Sequence, residues 1–291
     1  MRRYSGEPLG SNAHIVALGS CKVGNFVVSI PALQGLRKRF PKAVIGFIGS
    51  EVTADFERAL PCLDWRLSWD DDSGLESLLR LAQNLADLTR VHGGVDLAVN
   101  FDGFNPVTCV LSSFLDPLYV AGGALDSSRR RSLPWGEAPS QAFLADSDWD
   151  SPDFLSRYSQ VLRSNYIAEL FALMAGVERD CDPALIQLPV ATPAFAVPDV
   201  LIHCTTARAA KIWPFQYWKV VVDALDARGC SVGLVGAAPR QQQQAYNSGD
   251  GEDWLLQVTA LQDLRGRTSL MELAGACRSA RAVVSVDAGP C

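Results

Sequence analysis

Short apolar runs of strand length alternate with longer stretches of helical spacing, and they do so twice, on either side of a proline-rich segment. In the first half His14–Leu18, Ala43–Ile48 and Asp96–Val99 are each followed by a helical stretch, at Phe26–Phe40, Glu51–Leu60 and Val107–Leu115. Strands buried on both faces have no solvent-facing positions to make polar. This rhythm therefore predicts an α/β fold with a doubly wound parallel sheet. Gly74 to Arg90 adds a helix, with Leu75, Leu78, Leu79, Ala82, Leu85 and Ala86 at the spacing of one buried face. Gly122 to Pro152, polar and carrying Arg129, Arg130 and Arg131, reads as a long surface loop. A single helix is expected from Asp153 to Gly176, closed by that glycine.

Pro183, Pro189, Pro193 and Pro198 forbid regular helix between Cys181 and Pro198, which reads as an extended crossing between domains. The rhythm then restarts. Strands are expected at Val200–His203, Ser231–Val235 and Ala282–Val286, with helices at Pro214–Arg228 and Ser269–Ser279. With 291 residues the chain has room for two domains, expected over 1–178 and 179–291.

A net charge of −6 argues against a general nucleic-acid binder, which needs a basic surface to displace phosphate counterions. No apolar run reaches transmembrane length, and the residues from Met1 to Gly10 lack the apolar core of a signal peptide, so a cytoplasmic protein is expected. Eight cysteines without a C-x-x-C pair read as reduced core residues, and His14, His92 and His203 lie too far apart in sequence to favour a zinc site.

In open parallel sheets ligands lie beyond the carboxyl ends of the strands, so the residues just after each strand carry the functional expectations. After the first strand, Gly19-Ser20-Cys21-Lys22-Val23-Gly24-Asn25 is a glycine-punctuated turn into a helix, where backbone N–H groups could meet an anion or Gly24 could simply permit a tight turn. It is neither G-x-G-x-x-G nor a complete Walker A, which disfavours an NAD-type enzyme. Between the strand ending at His203 and the next helix, Thr205, Thr206, Arg208 and Lys211 gather two hydroxyls and two cations near a helix N-terminus. A diphosphate wants that set; a turn threonine and a solvated lysine are the plainer reading. Gly236 after the next strand lets backbone approach a ligand, and Asp287-Ala288-Gly289-Pro290 follows the last strand.

Three ordered segments resemble glycosyltransferase family nine, the heptosyltransferase-type enzymes. Val23-Gly24-Asn25-Phe26 through Leu33, with Leu36-Arg37 and Phe40-Pro41, is similar to that family's opening turn and first helix. Lys211-x-Trp213-Pro214 is similar to its donor loop. Gly266-Arg267-Thr268-Ser269-Leu270 with Glu272-Leu273, then Val283 to Pro290, is similar to its final signature.

The resemblance implies a GT-B architecture of two Rossmann-like domains facing a cleft, the second holding the nucleotide-sugar and the first the acceptor. It implies metal-independent inversion at the anomeric carbon, with heptose moved from ADP-heptose to a lipopolysaccharide-like or other glycan acceptor. The donor is a substrate, and no cofactor is expected. Donor-binding roles fall on Thr205, Thr206, Arg208, Lys211, Gly236, Thr268, Ser269, Asp287, Ala288 and Gly289. The family's base, a carboxylate on the opening turn, falls on Asn25, and the neutraliser of the leaving diphosphate on Lys211. A neutral amide orients a hydroxyl without deprotonating it, so Asp102, just past the Asp96–Phe101 strand, is the replacement candidate. Its plainer role is to open the next helix. On the acceptor side, Gly24 lies in the opening turn, and Arg129, Arg130 and Arg131 are either a site for an anionic acceptor or lipid headgroups at a membrane face, or a solvated run.

After Gly236 the family often offers the ribose an acidic residue, where this chain has Arg240 followed by Gln241 to Gln244. The family also continues past Asp-x-Gly-Pro with a histidine-containing helix, whereas this sequence ends at Cys291, so an incomplete second domain is expected. That ending and Asn25 leave open an inactive nucleotide-sugar-binding remnant.

Overall fold

The computed structural model describes residues 1–70, 75–149, 151–206, 208–240 and 250–288, without the side chains of Leu75, Leu78 and Ser140. The chain forms two compact units, Met1–Gln187 and Leu188–Cys291.

The first unit is built on a six-stranded sheet. Its elements are β1 (Arg2–Arg3), β2 (His14–Leu18), α1 (Val23–Arg39), β3 (Val44–Gly49), α2 (Ala54–Ala59), β4 (Trp65–Ser68), α3 (Leu75–His92), β5 (Leu97–Asn100), α4 (Pro106–Phe114) and β6 (Tyr119–Gly122). Short helices α5 (Pro139–Ala142), α6 (Phe154–Arg157) and α7 (Ile167–Met174) follow. Every strand pairing is parallel, in the order β1-β6-β5-β2-β3-β4. From β2 the chain winds outward through β3 to β4, then returns on the other side as β5 and β6. The winding reverses between β2 and β5, where Leu18 lies beside Asn100. All five β2 residues are buried, as a doubly covered central strand requires.

Several expectations are corrected here. The buried stripe of α3 runs through Ser77, Leu81, Leu85 and Leu88, while Leu79, Ala82 and Ala86 face solvent. Leu85 belongs to both the expected and the observed stripe, and packing of Leu81 and Leu85 into the core of the first unit sets the face. The expected helix from Asp153 to Gly176 is broken into α6 and α7. Between them the Glu169 carboxylate accepts from the Arg163 and Ser164 N–H groups and the Ser164 hydroxyl, at 2.7, 2.9 and 2.6 Å, bonds that compete with a continuous helix. Gly176, in the left-handed region at φ +67°, does close α7. The segment after Gly122 is more than a surface loop. It contains α5, it buries Phe143 against Phe154 and Leu162, and buried Gln141 reaches back to Tyr4 and Ser5.

The second unit comprises β7 (Val200–His203), α8 (Phe215–Asp226), β8 (Val232–Leu234), α9 (Gly251–Val258), β9 (Gln262–Asp263), α10 (Leu270–Ser279) and β10 (Ala282–Ser285). Its four strands are parallel in the order β10-β7-β8-β9. Along β7 the side chains alternate between two cores. Val200, Ile202 and Cys204 join Trp218, Val222, Leu234 and Leu255 on one face, and Leu201 joins Val235, Leu264 and Ala276 on the other. Here the winding reverses between β7 and β10.

The seven cysteines among the described residues are free thiols, but Cys21 is exposed on the turn after β2, against the expectation of a core position. Among the described residues no helix is long and apolar enough to cross a membrane.

Candidate functional site

Where the winding of an open sheet reverses, the loops leaving adjacent strands diverge to opposite faces and leave a crevice. Each unit has one such place, and the expected site residues fall on both.

In the first unit the loops after β2 and β5 flank the reversal. The chain leaves β2 through Gly19, where a Cβ would stand 2.4 Å from the Phe47 ring, so a larger residue would have to displace that buried ring. Gly24 and Asn25 lie in the first turn of α1. A Cβ at Gly24 would meet nothing within 4 Å, so neither space nor a left-handed turn explains that glycine. The first turn contains no acidic residue, and Lys22 at the N-cap supplies no side-chain bond, so no side chain caps the start of α1.

Across the reversal, Asp102 sits in the turn after β5. Buried Asn100 fixes this turn: its Oδ1 accepts from the Asp102 N–H at 3.0 Å, and its Nδ2 donates to the Gly123 carbonyl at 2.7 Å. Asn105 caps α4 by accepting from the Val107 N–H, and its amide donates to Asp102 Oδ2 at 3.1 Å. Thr108 Oγ1 donates to the Asp102 carbonyl at 2.7 Å. The half-buried Asp102 carboxylate is thus oriented by an amide donor while keeping acceptor capacity. Arg129, Arg130 and Arg131 are exposed on a tight hairpin after β6 closed by the Leu125 and Ser132 bridge.

In the second unit the loop after β7 meets the end of β10. The Lys211 ammonium, at the end of a 3-10 turn over Ala209–Lys211, donates to Asp287 Oδ2. Thr206 Oγ1 donates to the Asp287 carbonyl at 3.5 Å. Lys211 and Thr206 are therefore brought together with Asp287, while Arg208 is exposed one residue before the turn. Trp213 lies edge-on to buried Trp218 at 5.1 Å between ring centres, fixing the stretch that leads from Lys211 into α8.

Thr205 is buried, and its hydroxyl bonds the equally buried Glu252 of α9. Burial pushes the Glu252 carboxyl above the ordinary carboxylate range, and its bonds to Arg265 and Thr205 oppose that shift. The Arg265 guanidinium reaches Glu252 at 3.2 Å, Asp253 at 2.8 Å and Asp263 at 2.9 Å, tying α9 to β9 beneath the loop. His203, last in β7, is held by burial in a non-ionising environment, its pKa lowered to about 4.

Gly236 follows β8, its carbonyl accepting from the Gly266 N–H at 2.8 Å. Ser269 caps α10 in a reciprocal box with Glu272, so its hydroxyl oxygen serves the helix, with half-buried Thr268 just before it. Ala288 lies beside Asp287 at the end of β10, whereas Gly289 and Gln241 to Gln244 lie outside the described residues. No group of three His, Cys, Asp or Glu side chains is placed to hold a metal ion among the described residues.

The supports, Asn100, Asn105, Glu252 and Arg265, escape a search for reactive groups at strand ends. Asn100 leaves the clearest signal, as the one polar residue closing the apolar run Leu97-Ala98-Val99.

Residues 168–291 match the model of glycosyltransferase family 9 (heptosyltransferase). Lipopolysaccharide heptosyltransferase 1 of Salmonella typhimurium is 32% identical over 90 residues, an alignment spanning 31% of this chain and 26% of that relative. The glycosyl transferase family 9 structure from Veillonella parvula superposes with a TM-score of 0.69 at 15% identity, covering 96% of this chain and 76% of that one. The E. coli heptosyltransferase WaaC with ADP gives 0.62 at 14% identity, covering 95% and 82%. E. coli ADP-heptose lps heptosyltransferase II gives 0.61 at 15%, covering 95% and 80%. The fold is GT-B, with a Rossmann-like parallel sheet in each unit.

Proposed function

We infer that the chain, which matches the family 9 model over residues 168–291, is a glycosyltransferase of heptosyltransferase type that moves heptose from ADP-heptose to a lipopolysaccharide-like or other glycan acceptor on the cytoplasmic side. The observation that carries this reading is the Lys211 pairing with Asp287 at the reversal of the second sheet. It holds an ammonium beside Asp287, whose carbonyl also meets the Thr206 hydroxyl, and a diphosphate entering there would gain a charge-assisted donor from Lys211.

In the reaction an acceptor oxygen forms a bond to the anomeric carbon as that carbon's bond to the diphosphate oxygen breaks, with inversion. Lys211 neutralises the charge developing on the departing ADP, stabilisation that is strongest in the transition state. Asp102, aligned by Asn105 and Asn100, takes the acceptor proton, and Asn25 orients the hydroxyl without deprotonating it. This route needs no metal ion to offset the diphosphate charge.

Incubation with ADP-heptose and a lipopolysaccharide-core acceptor tests it. ADP release in the native chain that Lys211→Ala abolishes supports the assignment, and release unchanged in Lys211→Ala refutes it.

A second reading, a nucleotide-sugar-binding protein without turnover, is favoured by the neutral Asn25 in a first turn of α1 that holds no carboxylate. Under it the native chain binds ADP but releases none from ADP-heptose, and Asn25→Asp does not bring turnover back.

A further inference from the structure

Helix α4 is amphipathic the wrong way round. Its inward face carries hydroxyls: Thr108, Ser112 and Ser113 are buried, and they donate to the carbonyls of Asp102, Gly123 and Leu125 respectively. Its outward face carries hydrocarbon. Val107, Val110 and Phe114, spaced three and four apart, lie on one side of the helix and are exposed, and Phe104 in the preceding turn is 89% exposed. A helix of a water-facing surface has the opposite arrangement, and a continuous apolar stripe of this kind marks a surface that meets something apolar.

Charge identifies the partner. The hairpin bearing Arg129, Arg130 and Arg131 is fastened to α4, because the Leu125 N–H donates to Ser113 Oγ at 2.7 Å, and the Arg129 guanidinium lies 4.8 Å over the Phe114 ring. These three arginines pair with no carboxylate among the described residues. α4 itself has no acidic side chain. The nearby carboxylates are Asp116, just past the helix, and Asp126, whose Oδ1 accepts from the Ser128 hydroxyl at 2.6 Å and the Arg130 N–H at 3.4 Å. Aromatic and aliphatic side chains flanked by unpaired guanidinium groups, on a chain whose net charge is −6, complement a surface that is apolar beneath and anionic on top.

We propose that α4 and the Arg129–Arg131 hairpin dock the protein on an anionic lipid bilayer, with Phe104 and Phe114 entering the headgroup boundary. The Phe104 turn also holds Asp102, so docking places the proposed base at the membrane face; that consequence alone rests on the function proposed above.

Sedimentation of the 291-residue chain with vesicles of phosphatidylglycerol and phosphatidylcholine, against phosphatidylcholine alone, tests docking without any substrate. The expected result is binding to the anionic vesicles only, reversed by salt. Phe104→Ser with Phe114→Ser is expected to lower partitioning about tenfold or more. Each of Arg129→Gln, Arg130→Gln and Arg131→Gln is expected to lower it about fivefold. Because these side chains are exposed, the melting temperatures of the variants should match the native chain. Absence of binding, equal binding to both vesicle types, or binding unchanged in the variants overturns the proposal. So does a dimer in vesicle-free buffer that the Phe104→Ser and Phe114→Ser changes dissociate, which would assign the stripe to a second copy. Vesicle binding without turnover would leave docking standing and refute only the catalytic reading.

Discussion

The Lys211 ammonium is bonded to the Asp287 carboxylate, linking the loop after β7 to the end of β10 where the second sheet reverses its winding. Asp287 is largely exposed, so its hold on the lysine is weak, and an arriving diphosphate competes for the same ammonium. Lys211→Ala is expected to lower turnover by roughly 10²–10³-fold, the usual cost of losing one group that stabilises transition-state charge. Asp287→Asn is expected to tighten ADP binding by up to about fivefold, the range of an exposed ion pair. Titration calorimetry with ADP reads the second effect, and weakened binding in Asp287→Asn would show that the carboxylate assists the nucleotide.

Asp102→Asn separates a proton acceptor from a turn residue. The amide keeps the size of the side chain, so the melting temperature should change little. Turnover should fall by about 10²-fold or more if a general base is lost. Steady-state kinetics of the variant checks this, and unchanged kcat would remove Asp102 from the chemistry.

Arg265→Met leaves Glu252 buried beside Thr205 without its guanidinium partner. Removing one member of such a pair costs about 3–5 kcal/mol, which urea unfolding should register. Adding Glu252→Gln removes the stranded charge and should recover part of the loss. No difference between the single and double variants would mean the Glu252 charge is irrelevant to stability.

Burial lowers the His203 pKa from 6.5 to about 4. Between those values the unfolded chain holds a proton at this residue that the folded chain does not, so stability falls as pH falls through the window and loses nothing more from this group below about 4. The ceiling is roughly 3 kcal/mol. His203→Leu should flatten that part of the stability curve relative to the native chain, measured by denaturant unfolding across the window. Parallel curves would show that His203 does not contribute.

The parts legible in the sequence were those whose signal is local. The apolar runs at His14–Leu18 and Val200–His203 announce central strands, and Gly176 announces the end of a helix. β1, β4, β6 and β9 escape such a reading. Arg2–Arg3 and Trp65–Ser68 are edge strands with polar or half-buried side chains, so their pairing partners define them rather than their composition. The face of α3 is legible only in part, because Leu85 is half-buried as its spacing predicts, whereas Leu79, Ala82 and Ala86 are exposed and Ser77, Leu81 and Leu88 take the inward positions. At the candidate sites Lys211, Thr206 and Asp287 could be named from strand ends, whereas their contact depends on β10 returning beside β7, a nonlocal pairing. The stripe of α4 was hidden for a related reason. Val107, Val110 and Phe114 look like a core face until the sheet is seen to take Thr108 and Ser112 instead.

Thermal unfolding of the native chain and of Lys211→Ala, each with ADP, UDP, GDP and CMP in turn, tests the central claim most directly, because a ligand that binds only the folded state raises its stability. The account predicts a higher melting temperature with ADP for the native chain, little or none with the other nucleotides, and a much smaller ADP shift for Lys211→Ala. An ADP shift of equal size in both proteins, or no shift with any nucleotide in a chain that unfolds cooperatively, would contradict it.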